Sequence, residues 1–227
     1  IKYYDNNISS TIDLLKTMDE FKIKKLIFSS SATVYGSHQK SPLKEEYNLS
    51  SLNPYGNTKI ILEELIDDYS KSNPLFRAIS LRYFNPIGAN FKKGLADQPL
   101  GLPSNLMPLI IKSVVEKKKL IIYGDDYDTP DGTCIRDYIH VQDLAIAHIK
   151  ALKKVSSIEG HIPINIGLGK GISVLKLIKI FEKTNNVKVS YKIGGRREGD
   201  AAISYANNNK AKKILKWVST LDYERMC

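Results

Sequence analysis

The feature that most constrains the fold of this chain is a regular alternation of short apolar segments with longer amphipathic ones. Residues 25–30 form an apolar run bounded by serines, which is typical of a buried strand. Residues 53–72 have helical periodicity and carry Pro54 in the first turn, where its missing N–H costs nothing. Residues 76–83 again have the composition of a strand. This order of strand, helix and strand predicts a parallel sheet with helices on both faces.

The alternation continues to the end of the chain and predicts an α/β fold throughout. Its helices are expected at 8–20, 106–118, 141–153, 173–183 and 207–215, the fourth of them capped by Ser173. Its further strands are expected at 120–123, 162–166 and 187–193.

The composition is that of an ordinary globular protein and argues against several classes of partner. With 42% hydrophobic and 26% charged residues, the chain has no apolar run of 18 residues, so no membrane span is predicted. The net charge of +10 comes from lysines scattered in pairs and triplets without a nucleic-acid recognition module, so we expect no nucleic acid to bind. Cys134 and Cys227 are expected to be reduced thiols in the cytoplasm.

Two sequence patterns resemble binding motifs, and we interpret both as structural. Gly167–Gly171 follows a strand and opens a helix, but its third glycine comes one residue too early for a dinucleotide fingerprint. No acidic residue ends the next predicted strand, so a tight strand-to-helix turn is the better interpretation. An acidic run lacks the register of a calcium loop, and no metal site is expected there: Asp125, Asp126, Asp128 and Asp131.

Tyr55 and Lys59 are the strongest candidates for chemistry. They lie four residues apart in the first turns of the predicted helix, and therefore share one helical face. A lysine cation beside a phenol lowers the tyrosine pKa from its reference of about 10, which makes an oxygen base usable near neutral pH. Ser31, at the end of the preceding strand, is placed to share the proton. The pair alone is a weak pattern, but with residues 29–36 before it and 81–86 after it the pattern is strong.

Seven segments, in order from end to end of the chain, resemble one protein family. They are residues 3–7, 28–36, 53–59, 81–86, 103–108, 131–141 and 196–200. Through them the chain resembles the extended short-chain dehydrogenase/reductases, and within these it is similar to the enzymes that interconvert UDP-glucose and UDP-galactose. The resemblance implies a Rossmann-type doubly wound parallel sheet with a smaller α/β substrate-binding domain. It implies an NAD-binding unit at 1–85 and 139–171, and an intertwined UDP-sugar-binding unit at 86–138 and 172–227.

The same resemblance predicts what lies outside this sequence. In the family the dinucleotide fingerprint stands near the N-terminus, so we expect a fragment that lacks the opening βαβ units and a short C-terminal segment. Such a fragment is expected to be inactive alone and not to retain NAD. The choice between NAD and NADP is not readable from these residues.

The resemblance assigns roles around the cofactor and the reacting sugar carbon. Tyr55 is the expected base, Lys59 is expected to lower its pKa and hold the nicotinamide ribose, and Ser31 is expected to bridge Tyr55 to the sugar oxygen. Thr33 is expected to be a supporting hydroxyl. The cofactor-binding positions are Asn6, Ser31, Tyr55, Lys59 and Phe84.

The resemblance also implies a substrate site. Arg136 and Arg197 match positions that hold the diphosphate, which a fork-shaped cation suits. Residues 121–123 match a strand that contacts uracil, and Ser204 matches a position facing the substituent on sugar carbon 2, with Tyr205 as the alternative. The full set of substrate positions is Ser31, Ala32, Thr33, Asn85, Asn105, Leu106, Ile121, Ile122, Tyr123, Arg136, Arg197, Asp200 and Ser204.

Ala32 and Thr33 help to distinguish the expected activity from the other activities of the superfamily. Dehydratases of this superfamily carry carboxylates there, so this sequence favours epimerisation at sugar carbon 4, with N-acetylated UDP-sugars as further substrates. Another nucleotide-sugar epimerase, a decarboxylase such as UDP-glucuronate decarboxylase, and a non-catalytic dinucleotide-binding regulator remain open. The full-length protein is expected to be a homodimer that pairs through helices including residues 53–72.

Overall fold

The helices and strands alternate along most of the chain. The computed structural model describes residues 1–37, 40–97, 99, 101 and 103–227. The helices are α1 (Lys2–Tyr4), α2 (Ser10–Glu20), α3 (Pro54–Ser72), α4 (Leu106–Val115), α5 (Val141–Lys154), α6 (Val174–Asn185) and α7 (Tyr223–Met226). The strands are β1 (Lys25–Ser31), β2 (Arg77–Tyr83), β3 (Asn85–Ile87), β4 (Leu120–Tyr123), β5 (Ile135–Arg136), β6 (Tyr138–His140), β7 (His161–Ile166), β8 (Ile172–Ser173), β9 (Tyr191–Gly194) and β10 (Ile203–Ser204). Within the described ranges, no helix has the length and apolar content needed to cross a bilayer.

A parallel sheet in the order β1-β2-β7 forms the centre of the molecule. Successive strand residues point to opposite faces. On one face Leu26 and Phe28 pack with residues of α2 and α3, including the buried Ile66. On the other face Ile79 and Ile164 pack against α5. Helices therefore cover both faces of a parallel sheet, and the predicted doubly wound α/β fold is confirmed.

The register of the central sheet decides which residues meet at its C-terminal edge. Ser31 is paired with Tyr83, and Tyr83 with Ile166. Ligands of open α/β sheets bind outside the carboxyl ends of the strands. Ser31 and Tyr83 therefore stand at the edge where a site is expected.

Smaller sheets surround a second core. Strand β4 pairs with β9, β3 with β6, and β5 lies between β10 and β8. Their core includes Ile110, Ile122 and Leu177. The predicted division into two units stays a prediction, and one segment complicates it. Residues Ala211, Leu215 and Trp217, which were placed in the sugar-binding unit, pack in the core of the central sheet.

Several element boundaries differ from the predictions, for local reasons. Strand β9 was predicted over 187–193 but begins at Tyr191, because its partner β4 has only four residues to pair with it. Helix α4 ends at Val115 rather than 118, and Lys117 takes a left-handed conformation with φ 52°. The last predicted helix, 207–215, is mainly a π-helical turn at Ala211–Leu215. The short strands β3, β5, β6, β8 and β10 were not predicted.

Candidate active site

The start of helix α3 presents Tyr55 at the edge of the sheet. Asn53 caps the helix, since its side-chain oxygen accepts a hydrogen bond of 2.8 Å from the Gly56 N–H, and Pro54 occupies the first turn. A Cβ at Gly56 would stand 1.9 Å from the Ser51 Oγ, so only glycine allows this close approach. The local sequence thus fixes where the chain enters the helix and where Tyr55 stands.

Ser31 ends strand β1 and opens the 3₁₀ turn Ala32–Tyr35. Its Oγ accepts hydrogen bonds from the backbone N of Thr33 at 3.3 Å and from the Thr33 Oγ1 at 3.0 Å. Both bonds use the serine oxygen as an acceptor, so the Ser31 proton is left to donate elsewhere. Thr33 therefore orients the Ser31 hydroxyl, and its role in a reaction stays a prediction.

Burial dominates the electrostatics of Tyr55. Burial raises the pKa of Tyr55 above its ordinary value, with smaller contributions in the same direction from Tyr83 and Tyr3. Interaction with the Ser31 side chain lowers the pKa, but burial is the larger effect. The pKa of Tyr55 therefore lies above its ordinary value in this structure, because loss of solvation dominates, and the role of Lys59 stays a prediction.

Lys59 contacts several groups near Tyr55. It lies on the same helical face as Tyr55, and its ammonium is 5.5 Å from the centroid of the Tyr55 ring. The ammonium donates a hydrogen bond of 2.9 Å to the Ser29 carbonyl and lies 5.0 Å from the Phe28 ring centroid. Burial lowers the pKa of Lys59 itself.

Two residues that were not predicted lie around Tyr55. Tyr3 packs edge-on against the Tyr55 ring, with the ring centroids 5.8 Å apart. Tyr83 acts on Tyr55 electrostatically and pairs with Ser31 in the sheet. The signal for Tyr83 was available, because parallel strands that follow one another bring their C-terminal ends to the same edge.

The remaining cofactor positions, Asn6 and Phe84, differ in their exposure to solvent. Asn6 is exposed in a π-helical turn, Asp5–Ser9, that interrupts the N-terminal helix. Such turns are frequent at functional sites. The next residue, Asn7, donates a hydrogen bond of 2.8 Å to Thr58 on α3. Phe84 is only 4% exposed and packs with Val34 and neighbouring apolar residues, so its ring is a core element.

Three predicted substrate residues come together where β5 pairs with β10. Ser204 is directly paired with Arg136, so their side chains share one face. The Arg136 guanidinium lies 3.3 Å from an Asp200 carboxylate oxygen and donates a hydrogen bond of 2.6 Å to the Ala201 carbonyl. A Cβ built on Gly171 would lie 3.2 Å from the Tyr205 ring, which places that ring on the opposite face.

Strand β4 offers two of its three predicted residues to solvent. Ile121 and Tyr123 are exposed on one face, and the Arg197 guanidinium lies 4.5 Å from the centroid of the Tyr123 ring. Ile122 points the other way, is 2% exposed and belongs to the second core. Its side chain therefore cannot meet a ligand, which leaves only its backbone for the predicted contact.

The other predicted substrate residues are spread over the molecule. Asn85 is exposed and donates a hydrogen bond of 2.7 Å to the Asp137 carbonyl. Asn105 lines a cleft of about 270 Å³ together with Pro86 and Met226. Leu106 packs against the second core, and Ala32 against the cluster that contains Phe84.

The glycine-rich turn at Gly167–Gly171 holds the buried carboxyl group of Asp137, whose pKa is raised by burial to about 7. The Asp137 carboxylate accepts hydrogen bonds from the backbone N–H groups of Leu168, Gly169 and Ala206 at 2.8, 3.0 and 3.0 Å. The N–H groups that a phosphate would need are already used. The interpretation of this turn as structural agrees with these contacts.

Comparison with known proteins identifies close relatives. A family model described as "NAD dependent epimerase/dehydratase family" matches residues 1–167. The chain is 44% identical over 229 residues to a UDP-glucose 4-epimerase of Dictyostelium discoideum, covering 100% of this chain and 67% of that protein.

Solved structures give the same picture. The UDP-glucose-4-epimerase of Stenotrophomonas maltophila, with bound NAD and formylated UDP-arabinopyranose, is 42% identical with a TM-score of 0.96, covering 100% of this chain and 68% of that one. The UDP-Glc/GlcNAc 4-epimerase of Campylobacter jejuni is 37% identical with a TM-score of 0.84, covering 100% and 69%. The chain thus spans about two thirds of the length of these relatives.

Proposed function

Because the chain belongs to the NAD-dependent epimerase/dehydratase family, we propose that the protein interconverts UDP-glucose and UDP-galactose by NAD-dependent oxidation and re-reduction at sugar carbon 4. The observation that carries this proposal is the meeting of Ser31, Tyr55 and Lys59 at the C-terminal edge of the central sheet. A hydroxyl, a phenol and an ammonium in this arrangement suit proton transfer at an alcohol oxygen.

The residues around Lys59 fit a nicotinamide cofactor. The ammonium has three N–H donors, and within the described residues one of them is used, by the Ser29 carbonyl. Its half-buried place beside Tyr55 leaves donors for the hydroxyls of a ribose. We assign NAD binding to the side chains of Lys59, Tyr55, Ser31 and Asn6 and to the backbone at Phe84.

The chain's own part in the reaction is to hold and move one proton. Bound NAD supplies the acceptor and the later donor of a hydride. Tyr55 accepts the proton of the sugar 4-hydroxyl as carbon 4 is oxidised, and returns it to the same oxygen when the carbon is reduced from its other face. Ser31, oriented by Thr33, donates its free proton to the oxygen that carries negative charge.

Recognition of the nucleotide is assigned to side chains on and near β4 and β5. Arg136 and Arg197 supply guanidinium groups for a diphosphate. Tyr123 supplies an aromatic face near Ile121, and Arg197 already lies over that face. Asn85, Asn105, Leu106 and Asp200 complete the assigned sugar and nucleotide contacts, with Ile122 contributing its backbone only.

N-acetylated UDP-sugars are included in the proposed substrates. Ser204 shares a face with Arg136, which is assigned to the diphosphate, while the bulky Tyr205 packs against Gly171 on the other face. A serine leaves space for an acetamido group that a larger side chain would fill. A relative of similar fold, from Campylobacter jejuni, is named as a UDP-Glc/GlcNAc 4-epimerase.

We further propose that the whole protein is a cytoplasmic homodimer. Exposed apolar side chains on α2 and α3, among them Ile12, Leu14 and Ile61, offer a surface for a second copy. Both cysteines are free thiols, in keeping with a reducing compartment. Light scattering of the purified full-length protein tests the dimer, and a monomer at micromolar concentration would refute it.

Incubation of the full-length protein with UDP-galactose and NAD tests the central proposal. We expect UDP-glucose as the product. In a separate incubation with UDP-glucuronate, we expect no release of carbon dioxide. Turnover of UDP-glucuronate to a pentose would favour a decarboxylase, which is the second candidate. Ala32 and Thr33 speak against a dehydratase, because neither side chain can act as the carboxylic acid that assists loss of water.

A further inference from the structure

Helix α3 carries a third polar residue in line with Tyr55 and Lys59. Glu63 follows Lys59 by four residues, so the three side chains form one stripe on the helix. Glu63 is 4% exposed, although glutamate is rarely buried unless it is paired. Nothing in the proton transfer uses it.

The partner of Glu63 is Arg82, which lies on β2 and is also buried. The guanidinium donates three hydrogen bonds to the carboxylate, from Nε at 3.0 and 3.1 Å and from Nη2 at 2.5 Å. Its remaining group, Nη1, donates to the Tyr35 hydroxyl at 3.0 Å and to the Glu45 carbonyl at 3.1 Å. The Tyr35 hydroxyl in turn donates to Asn165 on β7 at 2.7 Å. The pair thus joins α3 to two strands of the central sheet.

Strand β1 meets the same stripe with three consecutive serines. The Ser29 carbonyl accepts a hydrogen bond from Lys59, the Ser30 hydroxyl donates to the Glu63 carboxylate, and the Ser31 side chain lowers the pKa of Tyr55. The two hydrogen bonds at consecutive strand residues define both the rotation of the helix and its position along the strand. The buried guanidinium of Arg82 fixes the Glu63 side chain and so makes its contact with Ser30 rigid.

We propose that Glu63 and Arg82 are positioning residues, which hold α3 in register with β1 so that the Tyr55 hydroxyl meets Ser31. This inference rests on the proposed function, because it assigns the purpose of the register to proton transfer by Tyr55. An ion pair kept only for stability can be replaced by apolar residues without loss. A pair that positions a reacting group cannot, since displacement of a reacting group by about 1 Å costs roughly 100-fold in rate.

The first test is Glu63→Gln, with Glu64→Gln as the matched control. Glu64 is the adjacent residue on α3 and is exposed. In the whole protein we expect Glu63→Gln to lower kcat by about 10- to 100-fold, with KM changed far less. The control should keep both constants. If kcat falls only in proportion to the fraction of protein that is folded, the proposal is overturned.

The second readout needs no substrate. The ultraviolet absorbance of phenolate is titrated with and without Tyr55→Phe, and the difference isolates Tyr55 from the other tyrosines. Weakening of the Ser31 contact should move the Tyr55 titration to higher pH. The other groups that face Tyr55, namely Lys59, Tyr83 and Tyr3, are unchanged in the variant. An unmoved titration in folded Glu63→Gln would overturn the proposal.

The double variant Glu63→Leu with Arg82→Met separates positioning from stability. We expect it to fold, because apolar residues can replace a buried pair, yet to keep the low kcat and the shifted Tyr55 titration. Wild-type values for both would overturn the proposal, and so would loss of folding in both variants, since the pair would then serve the fold as a whole. A wild-type protein inactive on UDP-galactose would refute the proposed function instead, and the titration would still test the register.

Discussion

Ser31 accepts two hydrogen bonds from the same residue, Thr33, one from its backbone N–H and one from its hydroxyl. This arrangement commits the serine oxygen as an acceptor and leaves its proton for Tyr55 or for a bound alcohol. The hydroxyl of Thr33, two residues along the chain, therefore influences a phenol on another element through a single intermediate side chain.

Replacement of Ser31 by alanine should shift the pH dependence of the reaction. The Ser31 hydrogen bond lowers the pKa of Tyr55, so its loss raises that pKa. A base with a higher pKa remains protonated to higher pH, so the acidic limb of kcat should move to higher pH. Thr33→Val removes only one of the bonds that orient Ser31 and should give a smaller shift. Profiles of kcat against pH measure this, and an acidic limb that stays in place in Ser31→Ala contradicts the assigned role.

Replacement of Tyr55 by phenylalanine should abolish most epimerisation. The phenol is removed while the ring and its edge contact with Tyr3 remain, so cofactor binding should be largely kept. Loss of one positioned acid–base group costs about 100-fold or more in rate. The conversion of UDP-galactose measures the effect, with the exposed Tyr191→Phe as a control. Wild-type turnover by Tyr55→Phe would refute the assignment of the base.

Replacement of Ser204 by tyrosine should restrict the sugars that the protein accepts. The larger side chain would fill space assigned to the substituent on sugar carbon 2, and overpacking is costly. Turnover of UDP-N-acetylglucosamine should fall while that of UDP-glucose is kept. The ratio of kcat/KM for the two substrates is the measurement, and Tyr205→Phe is the control. Equal use of both substrates by Ser204→Tyr would argue against this placement.

Replacement of Asp137 by asparagine should destabilise the protein. The carboxylate accepts hydrogen bonds from three backbone N–H groups, and an asparagine would turn its own NH₂ toward at least one of them. A buried donor without a partner costs about 1–3 kcal/mol in the free energy of unfolding. Urea unfolding measures the loss, against Asp128→Asn at an exposed carboxylate. An unchanged unfolding midpoint would show that these bonds contribute nothing net.

The sequence was sufficient to predict the elements whose residues repeat with a period. The helix that carries Tyr55 and Lys59 begins after its predicted cap at Asn53, because the capping residue and Pro54 act locally. Strands of two residues, such as β5 and β10, show no period, and their pairing depends on segments 68 residues away. Their existence is a consequence of tertiary contacts that no local pattern reveals.

The difference between the expected and the observed direction of the Tyr55 pKa shift has the same origin. Helical spacing correctly placed the lysine beside Tyr55, but spacing says nothing about burial or about other acceptors nearby. The Lys59 ammonium donates a hydrogen bond to the Ser29 carbonyl and lies near the Phe28 ring, and burial raises the pKa of the phenol. Likewise, the pairing of Glu63 with Arg82 joins residues 19 apart on different elements, which only the packing of α3 on the sheet brings together.

The hydrogen bonds of Asp137 also bear on the order in which the chain folds. Leu168 and Ala206 follow Asp137 by 31 and 69 residues, so both loops must close before these bonds can form. Loop closure costs entropy in advance, and contacts distant in sequence slow folding. The turn at residues 167–169 and the chain around Ala206 should therefore become structured late and together. In a pulse-labelled refolding experiment, the amides of Leu168, Gly169 and Ala206 should gain protection from exchange in a single phase.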